Sequence, residues 1–273
     1  MSKYCILNGK MLPVSEAKIG IDDLGLTRSY AVFDYMRTYN GKPFALSAHL
    51  DRLRNSGKTL HLELKYSDEE IAGFVDQLLS NSNFEEAGIR FLLTGGNRIH
   101  DMTFDSPNFI IVLEKLPTYP EEYYTNGVKL ITYKYQREVA ASKTTDYLNA
   151  LRLSPLQKEH NAFDILYHNK GCVLELTRNN IFIVNKGEII TPKENILKGI
   201  TRKHVIALAN KNFTCIEREV MLEELWSADE VFITGTSKKV IPVRVVDQRS
   251  YLSSPGPITT QIMKCFDQMV GGI

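Results

Sequence analysis

Paired cysteines, long apolar runs, an excess of one charge and the glycine-rich phosphate fingerprints are all missing from this chain. Its four cysteines, Cys5, Cys172, Cys215 and Cys265, are scattered singly. A zinc site or thiol redox motif needs paired spacing, so reduced, buried thiols and no metal centre are expected. Lys and Arg number 33 against 32 Asp and Glu, a formal net charge of +1. That balance offers no basic footprint for a nucleic acid. Apolar stretches such as Phe109 to Leu113 fall far short of the roughly 20 residues that cross a bilayer. The opening MSKYCILNGK has no signal-like apolar segment; a cytoplasmic protein without a membrane partner is expected. Neither G-x-G-x-x-G nor G-x-x-x-x-G-K-[ST] occurs, so no standard nucleotide fingerprint is present.

What is present is an ordinary globular composition, 43% hydrophobic over 273 residues, enough for two cores. The expected layout is an N-terminal domain over residues 1–115, a linker over 116–126 that is rich in proline and charge, and a C-terminal domain over 127–273. In the first part, Asn8-Gly9 and Asn40-Gly41 mark hairpin turns: Tyr4 to Leu7 leads into one, and the strand Ala31 to Tyr39 returns as Pro43 to Leu46 after the other. Helices are predicted from Ala48 to Leu60 and from Ser67, as N-cap with Glu70 three residues on, to Ser80. Strands at Arg90 to Leu93 and Asn108 to Leu113 complete an α+β sandwich. The second part predicts a strand Val128 to Tyr135, a helical stretch Thr144 to Glu159, four strands between Asp164 and Thr191, and a helix Thr201 to Asn210. Strands Glu230 to Thr234 and Val240 to Asp247 and a helix Gly256 to Met269 end the chain.

Several polar positions are candidates for chemistry. Gly199-Ile200-Thr201 opens an apolar-periodic helix, where free amides favour an anion, or where Thr201 simply caps the helix. Thr236 and Ser237 follow Gly235 in a turn able to aim several amides at one anion. Lys143 begins the helical stretch after a short run of small and polar residues. Glu175 alternates with Leu174 and Leu176, which read alone makes it a solvent-facing carboxylate.

In order and spacing these pieces resemble the class IV pyridoxal-phosphate aminotransferases, a family that includes branched-chain aminotransferases, D-amino-acid aminotransferases and aminodeoxychorismate lyases. The resemblance covers nearly the whole chain. It rests on Phe33-Asp34-x-x-Arg37, His49-Leu50-Asp51-Arg52-Leu53, Lys143-Thr144-x-x-Tyr147-Leu148, Glu175-x-Thr177-x-x-Asn180-Ile181-Phe182, Gly199-Ile200-Thr201-Arg202 and Gly235-Thr236-Ser237-x-x-x-x-Pro242-Val243. It implies a two-layer N-terminal α/β sandwich, a C-terminal β-barrel-like domain with helices, a cofactor between them and a homodimer. It further implies that Lys143 forms the Schiff base and then moves the substrate proton, and that Glu175 faces the pyridine nitrogen. Arg52, the amides of Ile200 and Thr201 and the Thr236 hydroxyl would hold the phosphate, with Tyr147 near the ring. Thr236 and Ser237 would receive the substrate α-carboxylate.

Departures from the pattern bear on the branch. The segment Arg28-Ser29-Tyr30-Ala31 replaces the usual G-D-G, leaving the pocket rim unusual. Phe33 and Gly95 stand where the bacterial D-amino-acid enzymes carry a tyrosine and an arginine on the α-carboxylate. Tyr147 stands where lyases carry arginine, and Asp146 where the usual residue is asparagine. Arg37, Ile89-Arg90 and the Pro242 to Asp247 piece resemble the branched-chain branch, in which an arginine can receive the side-chain carboxylate of glutamate. Arg90 or Arg37 would take that role, with Phe33 on the substrate; Arg98 and His100 lie on a loop able to reach the pocket mouth. The expectation is a transaminase acting on a branched-chain or hydrophobic amino acid and 2-oxoglutarate. The alternatives are a lyase releasing pyruvate, a D-amino-acid transaminase, and a ligand-binding homologue without catalysis.

Overall fold

A computed structural model describes residues 2–100, 103–104 and 106–272. The fold is of the α+β class, and the chain divides into two compact units. One comprises Met1–Pro117 and Ser142–Tyr147, the other Thr118–Ala141 and Leu148–Gly272.

The first unit is built on six antiparallel strands, in the order Lys10–Pro13, Tyr4–Leu7, Phe109–Lys115, Ala87–Thr94, Ala31–Tyr39 and Lys42–Pro43. Two-residue alternation sends Val32, Met36, Ile89, Phe91, Ile111 and Leu113 into one core with Leu50, Leu53, Ile71 and Val75 from the helices Leu46–Thr59 and Asp68–Ser80. Each of these fully buried side chains contributes about 1.5–3 kcal/mol of transfer free energy. Asn8 and Gly9, and likewise Asn40 and Gly41, have φ between 50° and 79°, the paired positive values of a tight hairpin turn. The second helix begins with the full capping box: Ser67 Oγ accepts from the Glu70 amide, and the Glu70 carboxylate accepts from the Ser67 amide at 2.7 Å. The strand expected at Pro43 to Leu46 is cut short at Pro43, because Ala45 takes a left-handed φ of 55° and Leu46 starts the helix.

A second correction concerns Thr144 to Glu159, expected as one helix beginning at Lys143. Residues 142–147 form no helix and run beside the Ala31–Tyr39 strand, with an isolated bridge between Thr144 and Val32. The Phe33 amide donates to the Lys143 carbonyl at 2.9 Å and the Thr145 amide to the Ala31 carbonyl at 3.0 Å. Helix forms only afterwards, as the short pieces Leu148–Arg152 and Ser154–Glu159, the latter with Pro155 in its first turn.

The second unit carries a nine-stranded mixed sheet. Val128–Lys134 runs parallel to both Asp164–Asn169 and Lys239–Val246, while Asn180–Asn185, Glu230–Gly235 and Lys239–Val246 pair antiparallel. Its apolar cluster gathers Leu130, Leu166, Ile181, Ile183, Ile233 and Val243. The helices Ile200–Ala209 and Pro257–Gly271 belong to this unit. Within 116–126, expected as a linker, a helical turn Glu122–Thr125 forms, and Tyr123 and Tyr124 pack against this cluster. All four cysteines are free; Cys5 is buried as expected, but Cys172, Cys215 and Cys265 are half-buried. Among the described residues no helix is long and apolar enough to cross a membrane.

Candidate active site

In the first unit a carboxylate interrupts the apolar face of the Ala31–Tyr39 strand. Asp34 has no exposure to solvent. Its Oδ1 accepts from His49 Nδ1 at 2.6 Å, Arg52 Nη2 at 2.8 Å and the Tyr35 amide at 2.7 Å, while Oδ2 accepts from Arg52 Nε at 2.7 Å. His49 and Arg52 are three residues apart on one helix and so share a face. Burial alone would raise the Asp34 carboxyl, but the charge of Arg52 and the hydrogen bonds of Arg52 and His49 hold it well below the usual carboxylate range. Burial pushes His49 the other way, downward, against the pull of Asp34; the nearby cations Arg52 and Lys143 add to that push. The resulting state is an ionised Asp34 with a neutral His49 donating from Nδ1, the tautomer assigned from this network. The Nε–Nη2 edge of the Arg52 guanidinium is thereby fixed, while its Nη1 meets no acceptor among the described residues.

The opposite face of the same strand presents Phe33. Lys143 Nζ lies 4.5 Å from the Phe33 ring centroid, and the Tyr147 ring is 5.9 Å away. The Lys143 amide donates to Ser56 Oγ at 3.1 Å, which pins the backbone of this lysine to the helix that carries Arg52. Arg90 sits 5.5 Å from Phe33 and 5.3 Å from Tyr35, with its fork on Glu114 at 2.6 and 2.9 Å. Phe33, Arg90, Lys143 and Tyr147 are thus brought together. Arg37 is not part of this group: it stacks on Tyr39 at 4.2 Å and donates to the Thr38 carbonyl at 3.0 Å. Arg98 and His100 lie on an exposed hairpin strand.

In the second unit Glu175 departs from the solvent-facing reading. It is 6% exposed; Oε1 accepts from Arg137 Nε at 2.9 Å and Nη2 at 2.7 Å, and Oε2 from the Leu197 amide at 3.0 Å. Alternation could not reveal this, because the strand Cys172–Leu176 is covered on both faces. The helix Ile200–Ala209 is capped by Gly199 rather than by Thr201, and no side chain caps it. Its first amides therefore lack a side-chain acceptor, with the positive end of the helix dipole behind them. A Cβ on Gly199 would come within 2.3 Å of Asn180 Oδ1, so a side chain there would force Asn180 to shift. Arg202 is turned away onto Glu217 at 2.8 Å and the Pro192 carbonyl at 2.7 Å. Thr236 makes no side-chain hydrogen bond among the described residues, and Ser237 Oγ lies 3.3 Å from Tyr119 Oη. Thr234 Oγ1, close to this turn in sequence, is buried without a partner among the described residues.

The Amino-transferase class IV family profile matches residues 31–246. The chain belongs to the class IV aminotransferases. A putative branched-chain-amino-acid aminotransferase of Methanocaldococcus jannaschii is 34% identical, over 95% of this chain and 94% of that protein. A D-alanine aminotransferase of Bacillus licheniformis is 29% identical over 97% and 96%. The branched-chain amino acid aminotransferase of Thermobaculum terrenum, solved in its PLP form, has the same fold, at a TM-score of 0.88, 26% identity and coverage of 99% and 94%.

As a class IV aminotransferase the protein uses pyridoxal 5'-phosphate, and its residues suit that group. In the second unit an uncapped helix start and an orphaned buried threonine hydroxyl, and in the first a guanidinium with one unengaged nitrogen, are each chemically able to donate to a phosphate. A buried carboxylate paired with a guanidinium suits a pyridine N–H, and a lysine held on an aromatic face suits an aldehyde. The Asp34–His49 support beneath Arg52 had no assigned role in the sequence, although the i, i+3 spacing of His49 and Arg52 was a readable signal. Arg137 lay outside every motif and had none.

Proposed function

We propose that this aminotransferase exchanges amino groups between a branched-chain or other hydrophobic L-amino acid and 2-oxoglutarate, in two half-reactions with ping-pong kinetics. The observation that carries the site assignment is Lys143, whose backbone is fixed on two sides and whose Nζ lies over Phe33 beside Tyr147. When bound, pyridoxal phosphate supplies the aldehyde that binds the amine and the ring that takes up its electrons. The Lys143 amine anchors it and afterwards carries the proton removed from the substrate α-carbon. Glu175 accepts the hydrogen bond of the ring nitrogen. Arg52, the Ile200 and Thr201 amides and the Thr236 hydroxyl hold the phosphate, with Tyr147 near the ring. Thr236 and Ser237 receive the α-carboxylate.

Phe33 and Tyr35 supply apolar surface to a leucine-like side chain. Arg90 Nη1, which has no acceptor among the described residues, is the donor for the second carboxylate of glutamate. Arg37, engaged with Tyr39 and Thr38, is left as a support of the strand end. The branch rests on the 34% identity to the putative archaeal branched-chain enzyme. The 29% identity to a D-alanine aminotransferase favours D-amino acids as the second reading. A cytoplasmic homodimer belongs to the same proposal. Its support is the exposed Ile21, Leu26 and Ile99 of the first unit, at 80%, 65% and 69%.

The test is the visible spectrum of the cofactor-loaded protein with L- and D-amino acids and with Lys143→Ala. Conversion by L-leucine and L-glutamate, absent in Lys143→Ala of native circular dichroism, is expected. Conversion by D-amino acids alone would overturn the branch, and turnover by Lys143→Ala would remove Lys143 from the mechanism.

A further inference from the structure

Arg137, which belongs to no motif, is the ion-pair partner of Glu175. Its guanidinium donates from Nε and Nη2 to Glu175 Oε1, at 2.9 and 2.7 Å, and from Nη2 also to the Ala140 carbonyl. The Leu197 amide fixes the other carboxylate oxygen at 3.0 Å. Both side chains are largely buried, at 19% and 8% exposure, so the pair is little screened by water.

We infer that Arg137 is a positioning residue that keeps Glu175 ionised and aligned, so that the ring nitrogen of the cofactor retains its proton across the working pH range. This rests on the placement of Glu175 proposed above. A carboxylate buried this deeply without a cation favours its neutral form, and such groups titrate as high as about 8–9. A neutral Glu175 would hold the shared proton on its own oxygen and leave the ring nitrogen unprotonated, so the ring would draw electrons weakly. Arginine is suited to prevent this because it stays charged at every accessible pH, and here its Nε and Nη2 converge on Oε1 while the Leu197 amide holds Oε2. The carbonyl of Ala140 accepts a second hydrogen bond from Nη2 and so helps hold the guanidinium against Glu175.

The experiment uses the full chain loaded with ring-15N pyridoxal phosphate, with the nitrogen resonance followed from about pH 6 to about pH 9. Wild type, Arg137→Gln, Arg137→Met and Arg137→Lys are compared, with kcat and KM measured alongside. The ring nitrogen is expected to stay protonated throughout in wild type and in Arg137→Lys, which keeps the cation. In the two neutral variants it loses its proton within that range, and kcat falls with little change in KM for the amino donor. Ring protonation unchanged in a neutral variant overturns the inference alone. Failure of both neutral variants to keep native circular dichroism assigns Arg137 to the fold and also overturns it. An unprotonated ring in wild type overturns the placement of Glu175, and the inference with it.

Discussion

Asp34→Asn tests the reasoning about the first unit most directly. The wild-type carboxylate has no solvent exposure and accepts four hydrogen bonds, three on Oδ1 and one from Arg52 Nε on Oδ2. In the variant the charge is gone, and one amide nitrogen must face a donor of Arg52 or of His49. The remaining cation is 12% exposed and keeps no full counter-charge. Removing one partner of a buried pair in this way costs about 3–5 kcal/mol. Denaturant unfolding followed by circular dichroism measures the loss, and Trp226, the single tryptophan, reports separately on the second unit. The sign of the pH dependence follows from the directions of the shifts. Asp34 lies below its unfolded value, so its stabilisation is present above about pH 4 and is lost as the pH falls further. His49 is also lowered, so the unfolded state binds its proton first and stability declines as the pH drops below about 6.5. Asp34→Asn should remove the loss below about pH 4. A destabilisation under about 1 kcal/mol at neutral pH, the value of an exposed pair, would refute the account.

Three other outcomes follow from the geometry. Gly199→Ala places a methyl within 2.3 Å of Asn180 Oδ1 and should weaken cofactor binding; unchanged affinity by equilibrium dialysis would exclude the helix start from the phosphate site. Asp164→Ala removes the buried carboxylate that accepts from Thr177 Oγ1 and Asn179 Nδ2, which should cost about 1–3 kcal/mol in thermal unfolding. Arg52→Ala should weaken the cofactor without altering donor preference, and equal affinity in wild type and variant would withdraw Arg52 from the phosphate.

Local signals carried far into the fold because they obey short-range rules. The Asn-Gly turns need positive φ, and Ser67 and Glu70 satisfy amides three residues apart. Those rules failed where a distant partner decided the conformation. Lys143 adjoins a segment read as helical, yet hydrogen bonds to Ala31 and Phe33, over a hundred residues earlier, hold residues 142–147 out of a helix. Pro43 to Leu46 reads as a strand until Ala45 turns left-handed.

Order and spacing of short motifs were enough to establish the family, since catalytic residue types recur at fixed separations whatever surrounds them. Burial and pairing were beyond the reach of the sequence. A carboxylate between two leucines reads the same whether it faces water or a buried guanidinium, and only the packed sheet shows that Glu175 is buried against Arg137. Likewise the sequence names Arg52, but only the fold shows Asp34, itself held by His49, fixing its Nε–Nη2 edge. The physical reason is that ionisation and side-chain direction depend on desolvation and on charges within a few ångströms, and the residues that provide them are separated along the chain by 15, 18 and 38 positions.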